Sequence, residues 1–291
     1  MSYAGGKTED VTTGFTCSPT TLNKEGTQAI TVTYGGKSTS FTVKVSKATD
    51  EVQSITVAVQ PTKLTYKVAR SFLNNIIANK QLIIKDIKGI ENMNALKSGA
   101  VITCNHFNAF DSFAIQVAYE QSTQRKRKLY RVIREGNYTN FPGFYGMLMR
   151  NCYTFPLSSN KDTMRKFMHS MDAALKHGDF MVVYPEQSMW WNYRKPKPLK
   201  KGAYTFATKN DVPVLPCFIT MEDSDILGED GFYVQEYTIH IAPAIYPDPQ
   251  KSRAANIQMM KDKNFEVWKE IYETTYGEAL VYDTDDIPTI A

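Results

Sequence analysis

The sequence predicts an α/β protein with a mostly parallel central sheet flanked by helices, preceded by a small all-β segment. From about Tyr66 to Ile245, short apolar runs alternate with stretches whose apolar residues recur every three or four positions. This alternation is typical of strand–helix–strand units and a parallel sheet. In contrast, 17 of the first 50 residues are Ser or Thr, and apolar and polar residues alternate there, which indicates β-strands. We therefore predict an all-β segment at residues 1–57 and an α/β domain at residues 58–291.

The bulk composition excludes several protein classes. The chain has 291 residues, 42% of them hydrophobic and 22% charged, and lacks any run of 18 apolar residues that could span a bilayer. Its N-terminus has no charged start followed by an apolar stretch, so we expect a cytoplasmic protein. A net charge of +4 is too small to indicate nucleic acid, although it suits an anionic lipid surface. The four cysteines form no C-x-x-C pair, and we expect neither zinc, nor another metal, nor a disulfide framework.

The N-terminal segment contains a predicted β-hairpin. A turn at Gly35-Gly36 would pair Tyr34 with Lys37 and Ile30 with Phe41. Residues 3–46, with the run Asn-Lys-x-Gly-Thr-x-x-Ile-Thr-Val-Thr-Tyr, resemble the bacterial Ig-like domains found in cell-surface proteins. That resemblance implies a spacer or adhesive module.

The α/β part is predicted to contain helices and strands in regular succession. Helices are predicted at 66–78, after 111, at 161–177, at 203–209 and around 257–271, and strands at 81–87, 101–104, 129–133, 179–184, 212–220 and 237–243. The aromatic, Gly-rich stretch 137–157 is either a packed surface loop or the wall of a site for an apolar molecule. The basic cluster 125–128 is either a solvated helix end or a contact with an anionic membrane.

His106 and Asp111 lie where a strand gives way to a helix, so their side chains are free to face each other across one loop. Asp111 is expected to be the N-cap of the helix, with Phe110 and Ile115 as its hydrophobic staple. The other three histidines have structural or surface positions in this interpretation: His169 and His177 on a helix, and His240 in a strand.

Four sequence blocks in this order resemble the PlsC-like glycerolipid acyltransferases over residues 68–247. They are Asn105-His106-x4-Asp111, Phe-Pro-Leu at 155–157, Tyr-Pro-Glu at 184–186, and Lys-Lys-Gly-Ala followed by Val-Pro-Val-Leu-Pro at 200–216. The family carries an NHx4D block, a second block with an arginine, a third of the type FPEGTRS and a fourth of the type VPVVP. The resemblance implies transfer of a fatty acyl group from acyl-CoA or acyl carrier protein to the hydroxyl of a lysophospholipid such as 1-acylglycerol-3-phosphate, in phospholipid biosynthesis.

Two blocks depart from the family pattern. In the second, Ser158-Ser159 stand where a basic residue usually follows, so that phosphate ligand is either missing or displaced to Lys161 or Arg165. In the third, the family's EGTR becomes Glu186-Gln187-Ser188-Met189. Basic residues a few positions downstream could supply the lost charge or could be ordinary surface residues: Arg194, Lys195, Lys200 and Lys201.

The resemblance also assigns roles at the site. An alcohol attacks a thioester only when a base removes its proton, and His106 would be that base, since a free imidazole titrates at about pH 6.5. Asp111 would orient the imidazole and stabilise its cation. Glu186 would bind the acceptor's glycerol hydroxyl or organise the loop, with Ser188 assisting, and Asn105 is assigned to substrate binding. A thiol nucleophile at Cys104 is the alternative.

The expected partners are a lysophospholipid, an acyl thioester and the inner face of the membrane, with acyl carrier protein as one candidate donor. No cofactor and no nucleic acid are expected. Two other functions stay open: a cell-surface structural or adhesion protein acting through the Ig-like segment, and a catalytically inactive lipid-binding relative.

Overall fold

The computed structural model describes residues 16–19, 26–45, 63–228 and 231–282. The chain divides into two compact units, residues 1–55 and 56–291, and each is considered by itself. The predicted domain boundary at residue 57 lies outside the described residues and stays a prediction.

The first unit contains a three-stranded antiparallel sheet in the order β1-β2-β3. Its strands are β1 (Thr16–Ser18), β2 (Gly26–Tyr34) and β3 (Lys37–Val45). The predicted hairpin is confirmed, because Ile30 lies opposite Phe41 and Tyr34 opposite Lys37. Both turn glycines have positive φ, 54° and 75°, as the two-residue turn of a twisted hairpin requires. The Ig-like identity of this unit stays a prediction.

The second unit is a seven-stranded sheet with helices on both faces, which confirms the predicted fold class. The strand order is β4-β10-β9-β5-β8-β6-β7, and every neighbouring pair is parallel except β9 with β10. The strands are β4 (Ile83–Lys88), β5 (Ala100–Thr103), β6 (Leu129–Arg134), β7 (Thr154–Leu157), β8 (Phe180–Val183), β9 (Val214–Leu227) and β10 (Tyr233–Ile241). The helices are α1 (Lys63–Ala78), α2 (Ile90–Asn94), α3 (Asp111–Gln121), α4 (Glu135–Asn140), α5 (Gly143–Asn151), α6 (Lys161–His177), α7 (Gly202–Lys209) and α8 (Arg253–Tyr276).

The central strand β5 shows why the sheet needs helices on both sides. Its side chains alternate, so Ile102 joins an apolar cluster with α1, α2 and α3, whereas Val101 joins another with α6, α7 and α8. Both residues are fully buried. In the second cluster the Trp268 ring of α8 packs 5.4 Å from the Phe218 ring of β9. The central strand β5 is therefore held between two layers of helices.

The stretch 137–157 is helical, so its interpretation as a loop was wrong. It forms α4, α5 and β7, and on α5 the rings of Phe144 and Tyr145 pack against Phe72 of α1. Gly146 suggested a loop but serves close packing, because a Cβ at this position would lie 1.8 Å from the Phe141 carbonyl oxygen. No helix of the described ranges is both long enough and apolar enough to cross a membrane.

Candidate active site

The candidate site forms where β5 and β8 end side by side. These strands are parallel neighbours, so the residues that follow them, His106 and Tyr184, meet at one edge of the sheet. The segment after β8 is tied to the loop after β5 by two backbone hydrogen bonds: Trp190 donates to the His106 carbonyl at 3.2 Å and Asn192 to the Phe107 carbonyl at 2.8 Å. These bonds hold the two loops against each other.

His106 and Asp111 form a close pair at the start of α3. The His106 Nδ1 lies 2.6 Å from Asp111 Oδ2, with the imidazole 30% exposed and the carboxylate 2% exposed. The same oxygen accepts the backbone N–H groups of Phe107 at 3.2 Å and Asn108 at 3.4 Å. The imidazole is held through Nδ1, so Nε2 is the ring nitrogen left for a substrate.

The predicted helix cap at Asp111 is wrong. Asp111 is the first residue of α3, and Phe110 occupies the N-cap position without a capping side chain. The Asp111 carboxylate points back to the loop, where one of its oxygens pairs with His106 and accepts the backbone N–H of Phe107. The staple of Phe110 and Ile115 rested on that cap and falls with it. Instead, Asn108 Oδ1 accepts the Phe110 N–H at 2.8 Å and tightens the turn into the helix.

Tyr184 is a site residue whose role sequence reasoning missed. Its hydroxyl donates to Asp111 Oδ1 at 2.8 Å, and its ring stacks on the His106 imidazole with centroids 4.3 Å apart. Burial raises the pKa of Tyr184 well above its usual value, which keeps the phenol protonated as a donor. The sequence did contain one indication of this role: the family's third block has phenylalanine at this position, whereas this chain has a tyrosine with a hydroxyl.

Glu186 lies behind the loop and does not line the cavity. It is 5% exposed, and its Oε2 accepts the backbone N–H of His106 at 3.2 Å. Burial raises the pKa of Glu186 to about 8, and Oε1 has no hydrogen-bond partner within the described part of the chain. This geometry favours the expectation that Glu186 organises the loop over the expectation that it binds the acceptor.

The free energy of unfolding is expected to fall as pH rises from about 5 to 8, because of Glu186. Its ordinary pKa is 4.5 and its folded pKa about 8, so in this window the unfolded chain releases a proton that the folded chain retains. Glu186→Gln keeps an acceptor for the His106 N–H and removes the titration. Urea denaturation at pH 5 to 8 should show the variant gaining a few kcal/mol over wild type across the window. Parallel curves for the two proteins would contradict the assignment.

A cavity of about 1360 Å³ opens at His106 and extends along α3 to the basic cluster 125–128. Its walls are mainly apolar and aromatic. The stretch 137–157 supplies several of these side chains, which supports its interpretation as the wall of a site for an apolar molecule: Tyr145, Leu148, Met149, Tyr153 and Leu157.

Two of the predicted substrate-binding residues lie close to His106. Ser188 lines the cavity, and its hydroxyl accepts a hydrogen bond from Lys197 Nζ at 2.8 Å. Asn105 is buried outside the cavity, with its amide nitrogen donating to the Ile219 carbonyl at 3.0 Å and its amide oxygen accepting the Ile219 N–H at 2.8 Å. The Asn105 side chain therefore joins the end of β5 to β9.

The four remaining basic candidates are not brought to the cavity. Arg165 is exposed on α6 and pairs with Asp162 at 3.4 Å, and Arg194 pairs with Asp223 at 3.3 Å. Lys200 and Lys201 are exposed ahead of α7. None of the four is among the residues that line the cavity.

Cys104 is also unsuited to a role as nucleophile. The thiol is fully buried, does not line the cavity and donates to the Asn105 carbonyl at 3.3 Å. Burial raises the pKa of Cys104 well above its usual value, which disfavours the reactive thiolate. The geometry therefore favours His106 over the thiol alternative.

Two arginines of β6, Arg131 and Arg134, line the cavity and escaped sequence reasoning. Arg134 donates to the Gln187 carbonyl at 3.1 Å. Gln187 has a φ of 61°, a left-handed conformation that suits the glycine of the family pattern better than glutamine. In the sequence both arginines looked like ordinary strand residues, and only the neighbouring positions of β6 and β8 bring them to the site.

The other histidines lie away from the cavity lining. His240 Nε2 is 3.1 Å from the Thr220 hydroxyl, and burial lowers the pKa of His240 to about 4. His177 pairs with Asp179 at 3.0 Å, and His169 is exposed on α6. Within the described ranges, no three His, Cys, Asp or Glu side chains are grouped as metal ligands.

One comparison with known proteins, a match to a family model, covers the candidate site. The 1-acyl-sn-glycerophosphate (LPA) acyltransferase PlsC from Thermotoga maritima is 20% identical, over 70% of this chain and 80% of its own, with a TM-score of 0.48. The ADP-bound pilus retraction motor PilT is 10% identical, over 95% and 78%, with a TM-score of 0.30. Neither likeness is strong enough to bear on function. Among curated proteins, none matches this chain. Residues 85–220, which carry His106, Asp111 and Glu186, match the family model described as Acyltransferase.

Proposed function

We propose that this protein is an O-acyltransferase that moves a fatty acyl group from a thioester to the hydroxyl of a lysophospholipid. The observation that carries the proposal is the His106–Asp111 pair at the mouth of a large, mainly apolar cavity. A general base supplies the proton transfer that an alcohol nucleophile needs, and the cavity offers room for acyl chains.

The chemistry follows from the orientation of the imidazole. His106 Nε2 takes the proton of the acceptor hydroxyl while its oxygen attacks the thioester carbonyl carbon. Asp111, held by Tyr184 and two backbone N–H groups, fixes the imidazole through Nδ1 and stabilises the cation that forms. Collapse of the tetrahedral intermediate breaks the carbon–sulfur bond, and His106 returns the proton to the leaving thiolate. The products are an ester and a free thiol.

The finer assignment is 1-acylglycerol-3-phosphate as acceptor and acyl-CoA or acyl carrier protein as donor, in phospholipid biosynthesis. We also propose peripheral contact with the anionic inner face of the membrane, in keeping with a cytoplasmic protein. Large exposed aromatic side chains on and beside α5 support this contact: Phe141, Phe144 and Tyr145. Arg125 and Lys126 line the cavity and are exposed, which suits anionic headgroups.

The test is an acylation assay with the full-length protein. Acyl-CoA and acyl carrier protein should each be combined with lysophosphatidate, lysophosphatidylcholine and monoacylglycerol, and products detected by mass spectrometry. We expect an acylated product that depends on His106. Binding of lysolipids without product would favour the inactive lipid-binding alternative, and equal product from His106→Ala would refute the proposed chemistry.

Deleting residues 1–57 is expected to leave acyl transfer unchanged. The site residues named above belong to the second compact unit, residues 56–291, so we expect acyl transfer to depend on that unit. The truncated and full-length proteins should be compared by kcat/KM, with thermal unfolding as a check on folding. A folded but inactive truncated protein would show that the first unit takes part in function.

A further inference from the structure

Arg131 is a cation on β6 whose guanidinium, among the residues that the structure describes, donates hydrogen bonds to neutral groups. Its Nε donates to Ser112 Oγ at 2.8 Å, its Nη2 to Gln116 Oε1 at 2.5 Å and its Nη1 to the Leu129 carbonyl at 3.4 Å. The side chain lines the cavity. Among the described residues no carboxylate forms an ion pair with it, whereas Arg70 of the same cavity pairs with Glu120 at 3.7 Å.

A bound anion would stabilise a guanidinium in this position. Arginine stays charged in proteins, so removing it from water without a counter-charge is costly, and neutral acceptors offset that cost only in part. Burial lowers the pKa of Arg131, because removal from water disfavours the charged form. An anionic group entering the cavity would supply the missing charge and could take both N–H groups of the fork.

Arg131 lines the same cavity as His106. Ser112, which accepts from Arg131, directly follows Asp111, so the guanidinium lies beside the first turn of α3. In 1-acylglycerol-3-phosphate the free hydroxyl and the phosphate are on neighbouring carbons, so an acceptor with its hydroxyl at His106 would have its phosphate in the cavity that Arg131 also lines.

We propose that Arg131 is the phosphate-binding residue of the cavity and sets the preference for a phosphorylated substrate. This inference rests on the proposed acyl transfer, which it deepens. It replaces Arg165 as the expected phosphate ligand, because Arg165 does not line the cavity. The substrate-binding candidates Arg194, Lys200 and Lys201 do not line it either. The phosphate can come from the acceptor, whose free hydroxyl and phosphate are on neighbouring carbons, or from the CoA or phosphopantetheine part of the donor.

The kinetic test compares Arg131→Gln and Arg131→Lys with wild type in the full-length protein. We expect Arg131→Gln to raise KM for lysophosphatidate about ten- to a hundredfold, since it loses charge-assisted hydrogen bonds, and to leave KM for uncharged monoacylglycerol nearly unchanged. Arg131→Lys should recover part of the loss. A loss seen instead with acyl-CoA but not with an acyl-pantetheine donor would support the phosphate site and assign it to the donor. Equal losses with every substrate, or none, would overturn the proposal.

A binding measurement separates this inference from the proposed function. In a His106→Ala background, calorimetry with a short alkyl phosphate should detect binding that Arg131→Gln weakens and Arg253→Gln does not. Arg253 is an exposed arginine at the start of α8, so it controls for the loss of one positive charge. Phosphate binding without any acyl transfer would support the phosphate site and contradict the proposed acyltransferase function. Acyl transfer that Arg131→Gln does not change would support that function and contradict the phosphate site. Thermal unfolding of each variant checks that the contacts from β6 to α3 have not been lost.

Discussion

Replacing His106 by alanine is expected to lower kcat for acyl transfer about a hundred- to ten-thousandfold, the usual contribution of a general base. The reason is that Nε2 is the ring nitrogen available to take the hydroxyl proton, while Asp111 holds Nδ1. The fold should persist, because His106 is 30% exposed and Asp111 retains Tyr184 and two backbone N–H groups as donors. The measurement is single-turnover kinetics with thermal unfolding of the same protein.

His169→Ala is the matched control, since His169 is an exposed histidine on α6. It should have wild-type kcat and wild-type stability. If His106→Ala transfers acyl groups at the wild-type rate, His106 is not the base. If it is slow but also unfolded, the imidazole has a structural role that the measured kcat alone would hide.

Asp111→Asn is expected to lower kcat by up to about ten-thousandfold, the size of effect that the wrong imidazole tautomer has in hydrolase triads. The amide has one acceptor and one donor side. In the native pair one carboxylate oxygen accepts from His106 and from the N–H groups of Phe107 and Asn108, and the other accepts from the Tyr184 hydroxyl. With the NH2 group on the His106 side, the imidazole can accept its hydrogen bond only with its own proton on Nε2, where it cannot act as a base. With the NH2 group on the Tyr184 side, the tautomer is retained and only the negative charge beside the imidazole is lost, which gives a smaller decrease in kcat.

Tyr184→Phe and a double variant complete this test. Tyr184→Phe removes one donor to Asp111 but leaves the carboxylate and the stacked ring, so its effect on kcat should be far smaller than that of Asp111→Asn. The double variant His106→Ala with Asp111→Asn should be no slower than His106→Ala alone, because residues that act as a unit are not additive. Multiplied effects would show that Asp111 acts independently of the imidazole.

Local sequence was sufficient where contacts are close along the chain. The alternation of strands and helices predicted the α/β fold, Gly35-Gly36 predicted the hairpin register, and five residues across one loop predicted that His106 and Asp111 could meet. Local sequence did not predict the orientation of Asp111, because a short side chain can either cap its helix or point back to the preceding loop. Hydrogen bonds from the His106 imidazole and from the loop N–H groups hold it toward the loop. The glycines of the stretch 137–157 suggested a loop, but the close approach of the Phe141 carbonyl to Gly146 is a matter of packing.

The sequence by itself determined the fold class and the expectation that His106 and Asp111 meet across one loop. The tertiary structure decided which other residues stand with that pair. The order β5-β8-β6 puts Tyr184 on Asp111 and Arg131 in the cavity, and it leaves Arg165 on an outer helix although Arg165 is much the closer of the two arginines in sequence to Tyr184. The physical reason is that a parallel sheet gathers the ends of strands that are distant in the chain, so a side chain's neighbours depend on strand order and direction.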